Sequence, residues 1–247
     1  MLPIKVRRDF RIIAHRGASG YAPENTFAAF ELAVSMGVRE VELDTQLTWD
    51  GVIVICHDRT LEKYGHGDRV VEDLSWDELS KLDMGSWFSP FRYSGEKMVT
   101  LGDLFQRYKD TLCYHVEIKG EAADLPQTLV AETERHGLGG YCIFTSFNYA
   151  KLAEIRKIRP KAKLGWLVDR LDREVLERAA RLGTYQVCPA ASSVDRVGVD
   201  GAREFVDEVR ALGIRGRTNL ETINLIRRVI QSGCDGMTID WPDWVSY

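Results

Sequence analysis

Side chains that could carry acid–base and phosphate chemistry lie at the ends of short apolar runs, and such runs are typical of β-strands. The set contains two histidines, three carboxylates, one arginine and one lysine: His15, Arg16, Glu42, Asp44, His57, Glu117 and Lys119. Histidine exchanges a proton near neutral pH, carboxylates hold cations, and arginine and lysine bind phosphate oxygens. The pattern therefore predicts a metal-assisted phosphate site.

Glu42, Asp44 and Glu117 are the candidate metal ligands. Glu42 and Asp44 are two residues apart on one predicted strand, so both side chains point to the same side of it. Glu117 repeats this situation on a later strand. Converging carboxylates repel one another unless a cation or a shared proton compensates, and oxygen donors without sulfur favour Mg²⁺ or Ca²⁺. We expect one divalent metal ion here; the alternative is a salt-bridge cluster with Arg16 and Lys119.

His15 and His57 each close an apolar strand at the same predicted edge. A lone histidine in such a position is more often structural, but two of them beside three carboxylates fit a general base and a general acid. Phosphodiester cleavage needs both, because a nucleophile loses a proton while an oxyanion leaves. Metal ligation is the competing role for either histidine. We interpret His66, His115 and His136, which lack this context, as structural or solvent-facing.

Arg16 and Lys119 supply positive charge at the same edge. A guanidinium can bind two phosphate oxygens at once, whereas an ammonium acts as a point charge. Ion pairing with the nearby carboxylates is the alternative role for both residues. Phe147 and Trp166 lie near the ends of two later strands, where they would form the apolar wall of a pocket or pack in the core.

Composition excludes several classes of protein. A chain of 247 residues, 45% of them apolar, fits one large domain, and its net charge of −4 gives no support to a nucleic-acid partner. No stretch approaches the ~20 apolar residues of a membrane span, so we expect no stable membrane insertion. The N-terminus lacks the apolar core of a signal peptide, and a cytoplasmic protein is expected. Five scattered cysteines predict buried, reduced thiols, and homo-oligomer formation is left open.

Apolar runs alternate with segments of helical periodicity along the whole chain, which predicts a parallel sheet with helices outside it. The predicted strands cover 10–14, 38–44, 52–56, 112–118, 141–145, 163–168, 185–188, 214–218 and 236–240. The predicted helices cover 25–36, 100–109, 124–136, 148–158, 172–182, 201–212 and 221–232. Asn25 is the expected N-cap of the first helix.

Nine predicted strands are one too many for an eight-stranded barrel. Only seven residues separate Asp44 from Val52, which is too few for a parallel crossover. Segments 40–48 and 52–57 should therefore form an antiparallel hairpin that extends from the C-terminal rim. We predict a (β/α)8 TIM barrel, with a small insertion at about 59–99 between the second strand and the second helix and with a vestigial eighth helix.

The order of these motifs closely resembles the glycerophosphodiester phosphodiesterase family over almost the whole chain. The first 61 residues carry the most specific part of the resemblance, and the later segments are individually weak. The matching segments are Ala14-His15-Arg16-Gly17, Pro23-Glu24-Asn25-Thr26, Val41-Glu42-Leu43-Asp44, His57-Asp58-Arg59-Thr60-Leu61, Thr100-Leu101, Glu117-Ile118-Lys119, Ser146-Phe147, Gly233-Cys234-Asp235-Gly236 and Asp240-Trp241-Pro242.

The resemblance implies a barrel with a small insertion and an enzyme that hydrolyses glycerophosphodiesters. Glycerophosphocholine or glycerophosphoethanolamine would yield sn-glycerol 3-phosphate and an alcohol, through attack on phosphorus by water or by the substrate's own hydroxyl. The roles that the resemblance implies are a divalent metal on Glu42, Asp44 and Glu117, an acid–base pair of His15 and His57, and phosphate binding by Arg16 and Lys119.

The segment Gly216-Arg217-Thr218-Asn219 departs from the family pattern, because the tryptophan that would flank the substrate is absent and an arginine stands near its place. Two alternatives to the main prediction remain open. A lysophospholipase D or sphingomyelinase D type of activity would need an acyl groove, which aromatic residues of 76–93 could line, although a membrane-binding basic patch is lacking. The second alternative is a catalytically silent phosphate-binding barrel, against which the complete set of histidines and carboxylates argues.

Overall fold

The computed structural model describes residues 2–247 and contains a closed parallel barrel. The strands are β1 (Ile4–Lys5), β2 (Arg11–His15), β3 (Glu40–Leu47), β4 (Ile53–Ile55), β5 (Val99–Thr100), β6 (Cys113–Ile118), β7 (Cys142–Ser146), β8 (Lys163–Val168), β9 (Gln186–Pro189), β10 (Glu208–Ala211), β11 (Gly236–Ile239) and β12 (Val245–Ser246). The barrel order is β2-β3-β6-β7-β8-β9-β10-β11, and it closes because β2 pairs with both β3 and β11. The predicted TIM barrel is confirmed.

The helices lie outside the barrel and cover its strands with an apolar layer. They are α1 (Phe27–Ser35), α2 (Trp76–Leu79), α3 (Leu101–Tyr108), α4 (Leu125–Arg135), α5 (Tyr149–Ile158), α6 (Arg173–Leu182), α7 (Arg196–Ala202) and α8 (Asn219–Ser232). Phe30 of α1, Phe105 of α3 and Leu129 of α4 are fully buried in this layer, and the Phe105 ring meets that of Tyr114 edge-on at 4.9 Å. Within residues 2–247, none of the helices combines the length and the apolar character that crossing a membrane requires.

The antiparallel hairpin predicted from loop length is present. In the hairpin β3 pairs with β4, with Thr45 opposite Ile55. Because β4 also pairs with β5, the insertion at 59–99 leaves and re-enters the sheet beside this hairpin. The hairpin thereby returns the chain, and His57 with it, to the rim of the barrel.

The insertion has a small apolar core of its own, made of short 3-10 turns, α2 and buried side chains such as Leu61. Its aromatic rings pack edge-on against one another. The ring centroids of Tyr64 and Trp87 lie 5.7 Å apart, and those of Phe88 and Tyr93 lie 5.8 Å apart. These ring contacts therefore stabilise the insertion, while Phe91 of the same segment is exposed.

Two elements predicted in the C-terminal third are wrong. The strand expected over 214–218 is β10 instead, and the helix expected over 201–212 is the earlier and shorter α7. The strand was missed because Glu208 and Arg210 are buried within β10, so this part of the sequence shows no apolar run. Residues 212–217 form the loop that leads to α8.

Within residues 2–247, no barrel helix follows β11, as predicted. A 3-10 turn at Pro242–Trp244 follows β11, and β12 then pairs in parallel with β1, with Ile4 beside Val245. Residues 4–5 and 245–246 thus lie side by side.

The five cysteines are free thiols, and four of them are buried. Burial raises the pKa of Cys56 to about 12, so this thiol stays neutral and unreactive at neutral pH. The prediction of buried, reduced thiols is confirmed for all except Cys113, which is half-buried.

Charged side chains fill the bottom of the barrel, opposite the carboxyl ends of the strands. Arg11 Nε lies 2.7 Å from Glu40 Oε1, and Arg11 Nη1 lies 2.5 Å from Glu208 Oε2. His115 Nε2 lies 2.9 Å from the other oxygen of Glu40. His115 is fully buried in this network, so the structural role predicted for it is confirmed.

We expect the free energy of unfolding to fall as the pH is lowered from about 6.5 to about 4.5. Burial lowers the pKa of His115 from its ordinary 6.5 to about 4, against the opposing effect of Glu40. In this pH range the unfolded chain therefore binds a proton that the folded chain excludes, which destabilises the fold by on the order of 2 kcal/mol. Urea unfolding of wild type and His115→Gln at neutral and acidic pH measures the effect. An equally steep pH dependence in the variant would contradict it.

Candidate active site

The carboxyl ends of the barrel strands bring the predicted residues together around one cavity of about 260 Å³. The strand register places Asp44 beside Glu117, and Asp44 is completely buried. Seven of the nine predicted residues line the cavity: His15, Arg16, Glu42, His57, Glu117, Lys119 and Phe147.

The turn after β2 positions the first two of these residues. Arg16 has a φ of 55° and Gly17 a φ of 81°, and residues other than glycine rarely adopt such values. A Cβ atom on Gly17 would lie 2.5 Å from the backbone carbon of Ala29, so only glycine fits against α1. The backbone N–H of Arg16 donates to the carbonyl oxygen of Glu42 at 3.0 Å. The strained turn therefore holds His15 and Arg16 at the rim.

Glu42, Asp44 and Glu117 form a compact group of oxygen donors that lie within 4.8 Å of one another. Burial and the neighbouring Asp44 raise the pKa of Glu42 to about 7, and the same two causes raise the pKa of Glu117. Asp44 Oδ1 is buried and has no hydrogen-bond partner within residues 2–247. An excess of buried negative charge and a free carboxylate oxygen fit a hard divalent cation.

Each of the two predicted catalytic histidines has a carboxylate behind its ring. His15 Nδ1 lies 2.6 Å from Asp240 Oδ1, and His57 Nδ1 lies 2.6 Å from Asp58 Oδ1. This leaves the Nε2 atom of each ring for a ligand, and His15 Nε2 is 3.8 Å from Glu42 Oε2. Burial lowers the pKa of His15, but the hydrogen bond that its ring donates to Asp240 and the charge of Glu42 outweigh burial and raise the pKa above 6.5.

Arg16 and Lys119 form ion pairs with the acidic side chains of the site. Arg16 Nε lies 2.9 Å from Asp44 Oδ2, and its Nη1 lies 3.0 Å from Glu24 Oε2. Lys119 Nζ lies 3.1 Å from Glu117 Oε1. The ion-pairing role that the sequence left open for these two cations is therefore present, and it places both beside the carboxylate group.

Asn25 is not the N-cap of the first helix. The cap is Thr26, whose hydroxyl accepts from the backbone N–H of Ala29. Asn25 instead has a φ of 59° and donates from Nδ2 to Asp44 Oδ2 at 3.0 Å. Its amide thus orients one of the candidate metal ligands.

Of the two aromatic residues predicted for the pocket wall, the structure places only Phe147 at the cavity, with half of its surface exposed. Trp166 belongs to the outer layer: its Nε1 donates to the carbonyl oxygen of Phe147 at 3.2 Å, and its ring packs against Tyr149 of α5. Successive residues of a strand point to opposite sides, so Leu167 faces the cavity and Trp166 does not. Of the two roles that the sequence left open for Trp166, packing is the one seen at this cavity, although Trp166 lines a neighbouring cavity together with Phe147. A part for Trp166 in substrate binding stays a prediction.

Directly after β10, Leu212 and Gly213 line the cavity. Arg217 is exposed, and its backbone N–H donates to Glu221 at the start of α8. Arg210, inside β10, lines the cavity as Arg16 does.

Sequence reasoning missed the supporting role of Asp240, Asp58 and Glu24, although each lies in a segment that it quoted. Asp240 directly follows β11, so the strand-end rule used for the other residues would have found it. Glu24 accepts hydrogen bonds from Arg16, Lys63 and Tyr64. Because Glu24 does not lie at the end of a strand, the sequence pattern did not indicate this role.

We expect Asp240→Asn to lower kcat by about 100-fold or more, because the neutral amide removes the charge that orients and stabilises the His15 imidazolium. Steady-state kinetics with glycerophosphocholine measures the loss. Asp243→Asn is the matched control, because Asp243 accepts only from the exposed Tyr21 hydroxyl on the neighbouring turn. Equal kcat values for wild type and Asp240→Asn would contradict the role given to this carboxylate.

Comparisons with known proteins find relatives over nearly the whole chain. The model of the glycerophosphoryl diester phosphodiesterase family matches residues 15–244. A glycerophosphodiester phosphodiesterase of Caldanaerobacter subterraneus subsp. tengcongensis is 30% identical over 94% of each chain, and one of Bacillus subtilis (strain 168) is 31% identical over 94% of this chain and 83% of its own. The solved structure of an Oleispira antarctica phosphodiesterase in complex with the product sn-glycerol-3-phosphate superposes with a TM-score of 0.82, at 28% identity and over 94% of both chains. The chain therefore belongs to the glycerophosphoryl diester phosphodiesterase family.

Proposed function

We propose that this enzyme hydrolyses glycerophosphodiesters, such as glycerophosphocholine and glycerophosphoethanolamine, to sn-glycerol 3-phosphate and an alcohol. The observation that carries the proposal is the meeting of two carboxylate-backed histidines and three buried carboxylates around one cavity. A cavity of about 260 Å³ suits a small polar substrate. Membership of the family supports the same chemistry.

The cofactor in this proposal is one divalent metal ion, Mg²⁺ or Ca²⁺, on Glu42, Asp44 and Glu117. The three carboxylates supply hard oxygen ligands, and burial together with the charge of Asp44 raises the pKa values of Glu42 and Glu117. A cation would offset that charge. When bound, such an ion polarises the phosphoryl group and offsets its charge. Asn25 holds Asp44 in place for this role.

His15 and His57 carry the protons in this proposal. One of them accepts a proton from the nucleophile, and the other donates a proton to the oxygen of the leaving alcohol. Attack by water gives sn-glycerol 3-phosphate directly. Attack by the substrate's own hydroxyl gives a cyclic phosphate, and water then breaks one ring P–O bond in a second step to give the same product. Asp240 and Asp58 hold the rings at Nδ1, so each histidine works through Nε2. Both rings are partly exposed, which lets protons exchange with solvent after each turnover.

Arg16 and Lys119 hold the phosphate in this proposal, and Phe147 with Leu167 forms the apolar wall of the cavity. The two cations lie beside the carboxylates because of their ion pairs with Asp44 and Glu117. A substrate phosphate would therefore meet the metal ligands and the cations together. Such an arrangement stabilises the charge that develops at phosphorus in the transition state.

The experiment that tests the substrate class compares kcat/KM for four compounds with the metal-supplied enzyme. We expect kcat/KM for glycerophosphocholine and glycerophosphoethanolamine to exceed that for lysophosphatidylcholine and sphingomyelin, because the cavity that holds the site residues has a volume of about 260 Å³ and the aromatic rings of the insertion pack edge-on against one another. Release of sn-glycerol 3-phosphate is the readout for the first two compounds, and release of choline is the readout for the others. Faster choline release from lysophosphatidylcholine than from glycerophosphocholine would contradict the proposed preference.

A further inference from the structure

Arg210 is a fully buried arginine on the floor of the active-site cavity, with 1% of its surface exposed. It lies two residues before Leu212 on its strand, as Thr238 lies two before Asp240, so these side chains form the layer beneath the rim. Its Nε donates to Gln186 Oε1 at 3.0 Å, its Nη2 to Cys188 Sγ at 3.2 Å, and its Nη1 to Thr238 Oγ1. All three partners are neutral.

The charge of Arg210 distinguishes it from the other two cations of the cavity. Arg16 is paired with Asp44 and Glu24, and Lys119 is paired with Glu117. Within residues 2–247, Arg210 forms no ion pair with an aspartate or glutamate. A buried charge without an opposite charge is strongly unfavourable, so a ligand that brings negative charge to this floor would be bound favourably.

We propose that Arg210 is a phosphate-binding residue, which holds the oxygens of a phosphoryl ligand from the floor of the cavity. A guanidinium has five N–H groups in a planar fork, and three of those of Arg210 are used by Gln186, Cys188 and Thr238. Two N–H groups remain, which is the number that a bidentate contact with a phosphate needs. The three neutral bonds fix the plane of the guanidinium before the ligand arrives, so little side-chain freedom is lost on binding.

This inference rests on the proposed function only for the identity of the substrate, since phosphate binding needs no hydrolysis. Arg210, the cation of the cavity without an acidic partner, would bind the ligand, whereas Arg16 and Lys119 already form ion pairs with carboxylates. Phosphate would then be held between the rim and the floor. Such binding restricts how deep the leaving alcohol can lie.

Isothermal titration of the metal-supplied protein with inorganic phosphate and with sn-glycerol 3-phosphate tests the inference. For Arg210→Gln we expect both dissociation constants to rise about tenfold or more, because a charged hydrogen bond to each ligand is lost. For Arg210→Lys, which keeps the charge and loses the fork, we expect a smaller rise for both ligands. Arg156→Gln is the matched control, because Arg156 also donates only to neutral carbonyl oxygens but lies on α5 outside the cavity. We expect it to bind both ligands as wild type does.

Unchanged phosphate binding in the two Arg210 variants would overturn the inference, as would a loss confined to sn-glycerol 3-phosphate. Tighter metal binding with unchanged phosphate binding would also overturn it, since Arg210 would then be only a counter-charge for the carboxylates. Thermal unfolding of each variant shows whether it is folded, and Arg210→Lys keeps the test possible if Arg210→Gln is not. If the wild type is active but Arg210→Gln binds phosphate as tightly as the wild type, this inference alone is contradicted. If the wild type is inactive but its phosphate binding depends on Arg210, only the proposed function is contradicted.

Discussion

His15→Ala should lower kcat for glycerophosphocholine by about 100- to 10,000-fold, the usual contribution of a positioned general acid or base. The ring is anchored at Nδ1 by Asp240, and its Nε2 lies 3.8 Å from a candidate metal ligand, Glu42 Oε2. No other histidine except His57 lines the cavity among residues 2–247, so no side chain replaces it. About a third of the His15 side chain is exposed, so the free energy of unfolding should change by only about 1 kcal/mol.

Release of sn-glycerol 3-phosphate measures the activity of this variant, and urea unfolding measures its stability. His136→Ala is the matched control, because His136 lies at the end of α4, outside the cavity, and contacts Glu132. A His15→Ala enzyme that keeps a tenth or more of wild-type kcat would contradict the acid–base role. A folded His15→Ala variant with normal metal binding and no turnover would separate that role from metal ligation.

Glu42→Gln should weaken binding of Mg²⁺ or Ca²⁺ by more than about 100-fold, because losing a direct ligand costs more than losing an outer-shell partner. The same substitution should stabilise the metal-free protein. Glu42 is buried within 4.8 Å of the ligand oxygens of Asp44 and Glu117, and the neutral amide removes one of three repelling charges. One change is thus expected to have opposite effects on metal affinity and on metal-free stability.

Isothermal titration with each ion and thermal unfolding in the presence of chelator measure the two effects. Glu177→Gln is the matched control, because Glu177 forms a solvent-exposed pair with Arg173 on α6 and lies away from the cavity. We expect it to change neither quantity. Unchanged metal affinity in Glu42→Gln would remove the carboxylate group from the metal site, and a lower melting temperature in chelator would contradict the repulsion between its charges.

The fold could be predicted from the sequence where the strands are apolar and where the length of a loop decides between a parallel and an antiparallel connection. The hairpin followed from the seven residues between Asp44 and Val52, since no parallel crossover fits them. The failure was β10, where Glu208 and Arg210 are buried inside the barrel. Glu208 forms an ion pair with Arg11, which is 197 residues away in the sequence, so no local pattern predicts this contact. Charged residues of this kind are interpreted as solvent-exposed when only the sequence is known, because their tertiary partners are not visible in it.

The site could be predicted because the carboxyl ends of parallel strands meet at one rim, so residues distant in sequence were expected to converge. That rule placed His15, Glu42 and Glu117 correctly around the cavity. It could not decide between the pocket wall and the packed core for Trp166, whose ring packs against Tyr149 and whose Nε1 donates to the carbonyl oxygen of Phe147. It also could not find Arg210, which lies one layer below the strand ends.

The most direct test of the account is a ³¹P NMR time course of glycerophosphocholine with the wild-type protein, first in chelator and then with Mg²⁺ or Ca²⁺ resupplied. We predict no change in chelator and conversion to sn-glycerol 3-phosphate after one of the ions is added. Conversion at the same rate in chelator would contradict the metal role of Glu42, Asp44 and Glu117. A folded protein that leaves the substrate intact with both ions would contradict the proposed function itself.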